Sequence, residues 1–148
     1  MSYTSLESVI ARGDKCVSPR VLLLLQHPLV EELMTIRDSA EAPAGRLSAS
    51  SVELSDDLKT VRVTSASSSE LENIKDYGAL LLQALSHSSS GSKSLENIAQ
   101  RCFRGELTSL EQAHLLIERM VSSTIYKEII AIVVACLAAM AAIHYLWN

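Results

Sequence analysis

The chain is poor in the residues that build most recognisable sites. Its 148 residues include three cysteines, five glycines, three prolines, one phenylalanine and one tryptophan. Cys16, Cys102 and Cys136 are far apart, odd in number and outside any C-x-x-C unit, which argues against a disulfide framework and a cysteine zinc site. The scattered glycines form no phosphate-binding G-x-x-x-x-G-K-[ST] loop and no G-x-S-x-G elbow, and there is no H-E-x-x-H pair. His27, His87, His114 and His144 read as isolated from Cys, Asp or Glu at ligand spacing. His114 lies beside the apolar stripe of its helix and reads as a structural histidine. The expectation is a non-enzymatic protein with no catalytic residue, no cofactor and no metal.

A surplus of positive charge is also missing. Thirteen basic residues face seventeen acidic ones, for a net charge of −4, and no stretch concentrates the basic side chains. With so few aromatic rings for stacking, nucleic acid is not expected as a partner. The segment Met1 to Lys15 has no apolar core and is not read as a signal peptide. No N-glycosylation sequon occurs.

What the chain does have is one long apolar run. No charged or strongly polar side chain occurs from Ile129 to Ile143, and the run reaches Trp147 with only His144 and Tyr145 interrupting it. A helix over 129–147 is about 28 Å long, close to the hydrocarbon thickness of a bilayer. Tyr126 lies near one end, and Tyr145 and Trp147 at the other, where amphipathic rings suit the headgroup interfaces. Eight Ile, Val and Leu residues, among them Ile129, Ile132, Val133, Leu137 and Ile143, each contribute roughly −0.3 to −0.6 kcal/mol to insertion. They outweigh His144, which falls near the surface. The alternative is a helix buried in a soluble fold or oligomer, although the run is apolar on every face. Ala131, Ala135 and Ala139 recur every four residues, a small-xxx-small spacing suited to helix association and homo-oligomers. Alanine is also simply a good helix former. Cys136 falls mid-span, too deep for ordinary juxtamembrane lipidation.

These features predict a tail-anchored single-pass protein. With no signal peptide, the polar part stays on the synthesis side, in the cytosol, and Arg119 and Lys127 agree with the positive-inside tendency. In a eukaryotic or viral setting the membrane is the endoplasmic reticulum or the mitochondrial outer membrane. The lack of basic residues after the span favours the former.

The rest of the chain has room for one small domain. Thr4-Ser5-Leu6-Glu7 has capping-box form and predicts a short helix to about Arg12, burying Leu6, Val9 and Ile10. Arg12-Gly13-Asp14 breaks it; this tripeptide is also an integrin-recognition sequence, which a cytosolic segment would not present. Ser18-Pro19 starts a second helix, with Val21 to Leu25 buried. A third runs from about Pro28 to Ala40, with Leu29, Leu33 and Ile36 on one face. Ala42-Pro43-Ala44-Gly45 reads as a linker. A two-stranded hairpin follows from about Leu47 to Thr64, turning at Ser55-Asp56-Asp57, or else a serine-rich loop.

Ser69-Glu70-Leu71-Glu72 opens a further helix with Leu71, Ile74, Gly78, Leu81 and Leu85 at helical spacing. A serine-rich loop, Ser86 to Ser94, contains Gly91. Leu95, Ile98, Ala99, Cys102 and Phe103 form the face of the next helix, which Gly105 ends. Thr108-Ser109-Leu110-Glu111 opens the last helix, with Leu110, Ala113, Ile117, Val121 and Thr124 as its stripe and nothing to break it before Trp147. Ser67 and Ser69 each precede a glutamate by three residues, the acidophilic-kinase pattern, or simply cap and solvate a helix start. The predicted organisation is 1–41 as N-terminal helices, 42–68 as linker or hairpin, 69–128 as amphipathic helices and 129–147 as the membrane anchor. The fold class is mainly α.

Leu29-Val30-Glu31-Glu32-Leu33-Met34-Thr35-Ile36-Arg37-Asp38 resembles the BH3 helix of Bcl-2 family proteins. Leu29, Leu33, Ile36 and Asp38 match its apolar and acidic positions, Arg37 replaces its small residue, and the N-W-G-R signature of multidomain members is absent. The resemblance covers about ten residues and implies a helix-in-groove partner, with Asp38 pairing with an arginine there, in an apoptosis regulator. A generic core helix carries the same pattern. The function expected is an adaptor or regulator that presents a small helical protein-interaction domain at a membrane. The alternatives are a Bcl-2-like apoptosis regulator, viral or cellular, and a structural subunit of a membrane complex.

Overall fold

The computed structural model describes residues 2–13, 15–39, 44–89 and 92–148. Asp14, Gly91 and the stretch 40–43 lie outside them, and with these half of the expected linker and the end of the third expected helix. Two compact units are present, Met1–Ile117 and Glu118–Asn148.

The first unit is mainly helical with a small sheet. Strand β1 (Tyr3–Ser5) leads directly into α1 (Leu6–Ile10). Ser5 is the N-cap, its hydroxyl accepting from the Ser8 backbone N–H, so the cap falls one residue after Thr4. Helix α2 (Pro19–Leu24) starts as its serine and proline predict, Ser18 accepting from the Val21 N–H. Helix α3 (His27–Asp38) follows almost at once.

The hairpin forms, as β2 (Val52–Ser55) and β3 (Val61–Val63), with Val52 opposite Val63 and Leu54 opposite Val61. These four apolar side chains are buried on one face. Ser55 builds the turn: its hydroxyl donates to Asp57 Oδ1 at 2.6 Å and accepts from the Thr60 N–H at 3.0 Å. The sheet is larger than expected, because β1 adds a third antiparallel strand on β2, pairing Tyr3 with Ser55. A strand this short is too brief to display an alternating pattern, so local sequence shows only the capping box that follows it.

Helix α4 (Glu70–Ser86) and α5 (Lys93–Phe103) pack closely against each other. Ser69 and Ser92 cap them. Gly78 makes the approach: a Cβ there would lie 2.5 Å from the Phe103 backbone nitrogen and 2.6 Å from the Ala99 carbonyl. Helix α5 ends in a Schellman turn, in which the Gly105 N–H bonds to the Cys102 carbonyl and the Glu106 N–H to that of Arg101. Gly105 takes φ +76°, which a side chain would strain.

The core joins Leu6, Leu25, Leu29, Val30, Leu33, Leu54, Ile74, Tyr77 and Leu81, all at most 1% exposed. The Tyr77 hydroxyl donates to the Leu25 carbonyl at 2.7 Å, which pairs the one polar atom of that buried ring. Three apolar assignments change. Leu23 (60% exposed), Leu71 (42%) and Phe103 (55%) face solvent, because each sits just outside the stripe its own helix buries. Leu110, Ala113 and Ile117, at the start of α6 (Leu110–Trp147), complete this core.

The cap of α6 is Ser109, accepting from the Gln112 N–H, while the Gln112 side chain accepts from the Thr108 N–H. In the second unit, Glu118–Asn148, every residue from 122 to 148 is exposed and helical up to Trp147. The stripe expected to continue through Val121 and Thr124 therefore ends at Ile117.

Candidate functional site

Among the described residues, one helix is long and apolar enough to cross a membrane. Its best 18-residue window has a mean hydropathy of 2.5 and no buried share. Ile129, Ile132, Val133, Leu137, Ile143 and Trp147 are all exposed, Ile132 at 63% and Trp147 at 88%. Ala131, Ala135 and Ala139 lie along the same segment, also exposed. Among the described residues, none of this window is buried. An apolar surface this continuous on a helix is the surface a hydrocarbon phase accepts.

The segment with BH3-like spacing lies on α3, and its apolar residues point inward. Leu29 and Leu33 are fully buried and Ile36 is 8% exposed. To enter a partner's groove, this face would first have to leave the core. Asp38 is exposed and bonds to its neighbour Arg37, with Nε 3.0 Å from Oδ1. Arg37 is the centre of an ion network: its guanidinium reaches Glu70 at 3.2 Å and Glu111 at 2.5 Å. Glu70 also accepts the Leu110 N–H at 2.7 Å. The arginine thus ties the end of α3 to the starts of α4 and α6. Its hydrogen bond holds the Glu111 carboxyl below the usual range.

No protein-family model matches the chain, and no curated protein matches it significantly.

The histidines need correction. His27 and His114, which read as isolated in the sequence, meet in the fold: His27 Nδ1 lies 3.1 Å from His114 Nε2, with the rings edge to face. Glu31 Oε1 lies 3.5 Å from the same His114 nitrogen. The available signal was the spacing of His27 and Glu31, four residues apart and so on one helix face. The third member comes from α6, 87 positions along the chain from His27, which local pattern does not connect.

Ser67 and Ser69 are engaged in the start of α4. The Ser67 hydroxyl donates to Glu72 and accepts the Ser69 N–H, and Ser69 accepts the Glu72 N–H. Asn73, almost fully buried, bonds both the N–H and the carbonyl of Ser67. Cys102 is buried against α4, and burial pushes its thiol up to about 11, which makes it a packing residue rather than a nucleophile.

Proposed function

We propose that the protein is a tail-anchored, non-enzymatic adaptor or regulator whose Met1–Ile117 unit is presented to the cytosol. The observation that carries this reading is the apolar stretch of α6: it reaches membrane-spanning length and hydropathy, and among the described residues none of its best 18-residue window is buried. Tyr126 at one end and Tyr145 and Trp147 at the other suit the two interfaces, and Arg119 and Lys127 precede the span. The polar unit has its own packed core and needs no help from the apolar segment to bury one. An adaptor role fits a folded, acidic unit whose described surface carries ion pairs between distant segments, such as Arg46 of the loop before β2 with Asp76 of α4.

The test is alkaline carbonate washing of membranes carrying the protein. The full chain should stay in the pellet, whereas a chain ending at Lys127 should be soluble and folded. Protease added outside sealed vesicles should remove the Met1–Ile117 unit. A full chain that washes off overturns the anchor, and a protected unit reverses the orientation.

A further inference from the structure

We propose that His27, Glu31 and His114 form a binding site for a zinc-class divalent transition ion. The three donor atoms, one per residue, lie within 4.8 Å of one another. They belong to the Met1–Ile117 unit, and the two helices that supply them are held together elsewhere. Arg37, at the far end of α3, is bonded to Glu111, one turn before His114 on α6. The meeting of the two rings therefore follows from the fold and does not depend on the ligands themselves.

Two of the three donor separations match those around a tetrahedral ion, and all three lie within 4.8 Å. Zinc–nitrogen and zinc–oxygen bonds near 2.1 Å at tetrahedral angles place neighbouring donors about 3.4 Å apart. The observed separations are 3.1 Å from His27 Nδ1 to His114 Nε2 and 3.5 Å from that nitrogen to Glu31 Oε1. Two imidazole nitrogens this close cannot both carry protons without repulsion. One ring can donate its N–H to the other, as their hydrogen bond shows, and a cation between them would instead take both lone pairs, with the carboxylate supplying negative charge. Two histidines and a carboxylate make a borderline donor set, suited to zinc rather than to magnesium or calcium. Three protein donors leave a fourth position for water or for a side chain from a partner. The histidines are half-buried and Glu31 is exposed, with 65% of its side chain accessible, so an ion can reach the site from solvent. The bound ion would clamp the first turn of α3 to the first turns of α6.

The experiment uses the full chain in detergent micelles, titrated with zinc in competition with a chromophoric chelator. The expected result is about one ion per chain, with affinity reduced at least about tenfold in both Glu31→Gln and His114→Gln. His87→Gln, His144→Gln and Cys16→Ser should leave it unchanged. Zinc should also raise the melting temperature of the wild-type chain and not that of Glu31→Gln. That variant keeps its fold, because the side chain is largely in solvent, and so decides the matter even if His114→Gln unfolds. A wild-type chain that takes up no zinc, or a folded Glu31→Gln chain with wild-type affinity, overturns the site.

Discussion

The Met1–Ile117 and Glu118–Asn148 units spend their apolar residues in opposite ways. In the first, leucines, isoleucines and valines sit on one side of short helices and strands, and most are hidden from water. In the second, the same residue types ring a single helix and all but Val121 are exposed. Periodicity is the difference: stripes at i, i+3 and i+4 need a partner surface, whereas an all-round run needs an apolar solvent. The first unit is thus stabilised by shape, and the second by hydropathy alone. Substitutions should sort accordingly.

The largest effect is expected at Leu33, fully buried on α3. Leu33→Ala should destabilise the first unit by roughly 2–5 kcal/mol, read from chemical denaturation, while membrane retention is unchanged. Gly78→Ala comes next. Alanine is the better helix former by about 1 kcal/mol, but its Cβ would meet backbone atoms of α5 that have no rotamer to escape into. A net loss of roughly 1–3 kcal/mol is expected, and a gain in melting temperature would show that α4 and α5 are not so closely packed.

A smaller effect is expected from Glu111. Its carboxyl is held low by Arg37, so it contributes stability that is present above the unfolded carboxylate range, about pH 4.3, and lost as pH falls through its folded value. Glu111→Gln should lower the melting temperature slightly at neutral pH, and the two curves should converge in acid. Equal melting temperatures at pH 7 would mean the pair is fully screened. The smallest effect is expected in the second unit. Ala135→Leu with Ala139→Leu keeps the segment apolar, so both membrane retention and the melting temperature of the first unit should stay as they are. A fall in cross-linked dimer in the same variant would identify the alanine face as a helix-packing surface.

The parts of the fold legible in the sequence are those set by local chemistry. Ser18-Pro19, Ser69 and Gly105 mark helix ends through hydrogen bonds made within a few residues. Val52, Leu54, Val61 and Val63 declare the hairpin by alternation. Periodicity predicts Phe103 to be buried and an unbroken apolar run predicts the same of Leu23, yet both lie outside, because a helical stripe has edges that only its neighbours define.

What the sequence by itself determined is the contrast between the units: composition alone makes 129–147 apolar on every face, and no packing is needed to see it. Tertiary structure decided everything that joins distant positions. It laid β1 on β2, turned Arg37 from a departure in a motif into the centre of an ion network, and brought His114 to His27 and Glu31. The physical reason is range. Caps and periodicities are written in neighbours three or four residues apart, whereas a donor set or an ion network is a coincidence in space between segments that meet only once the core has closed.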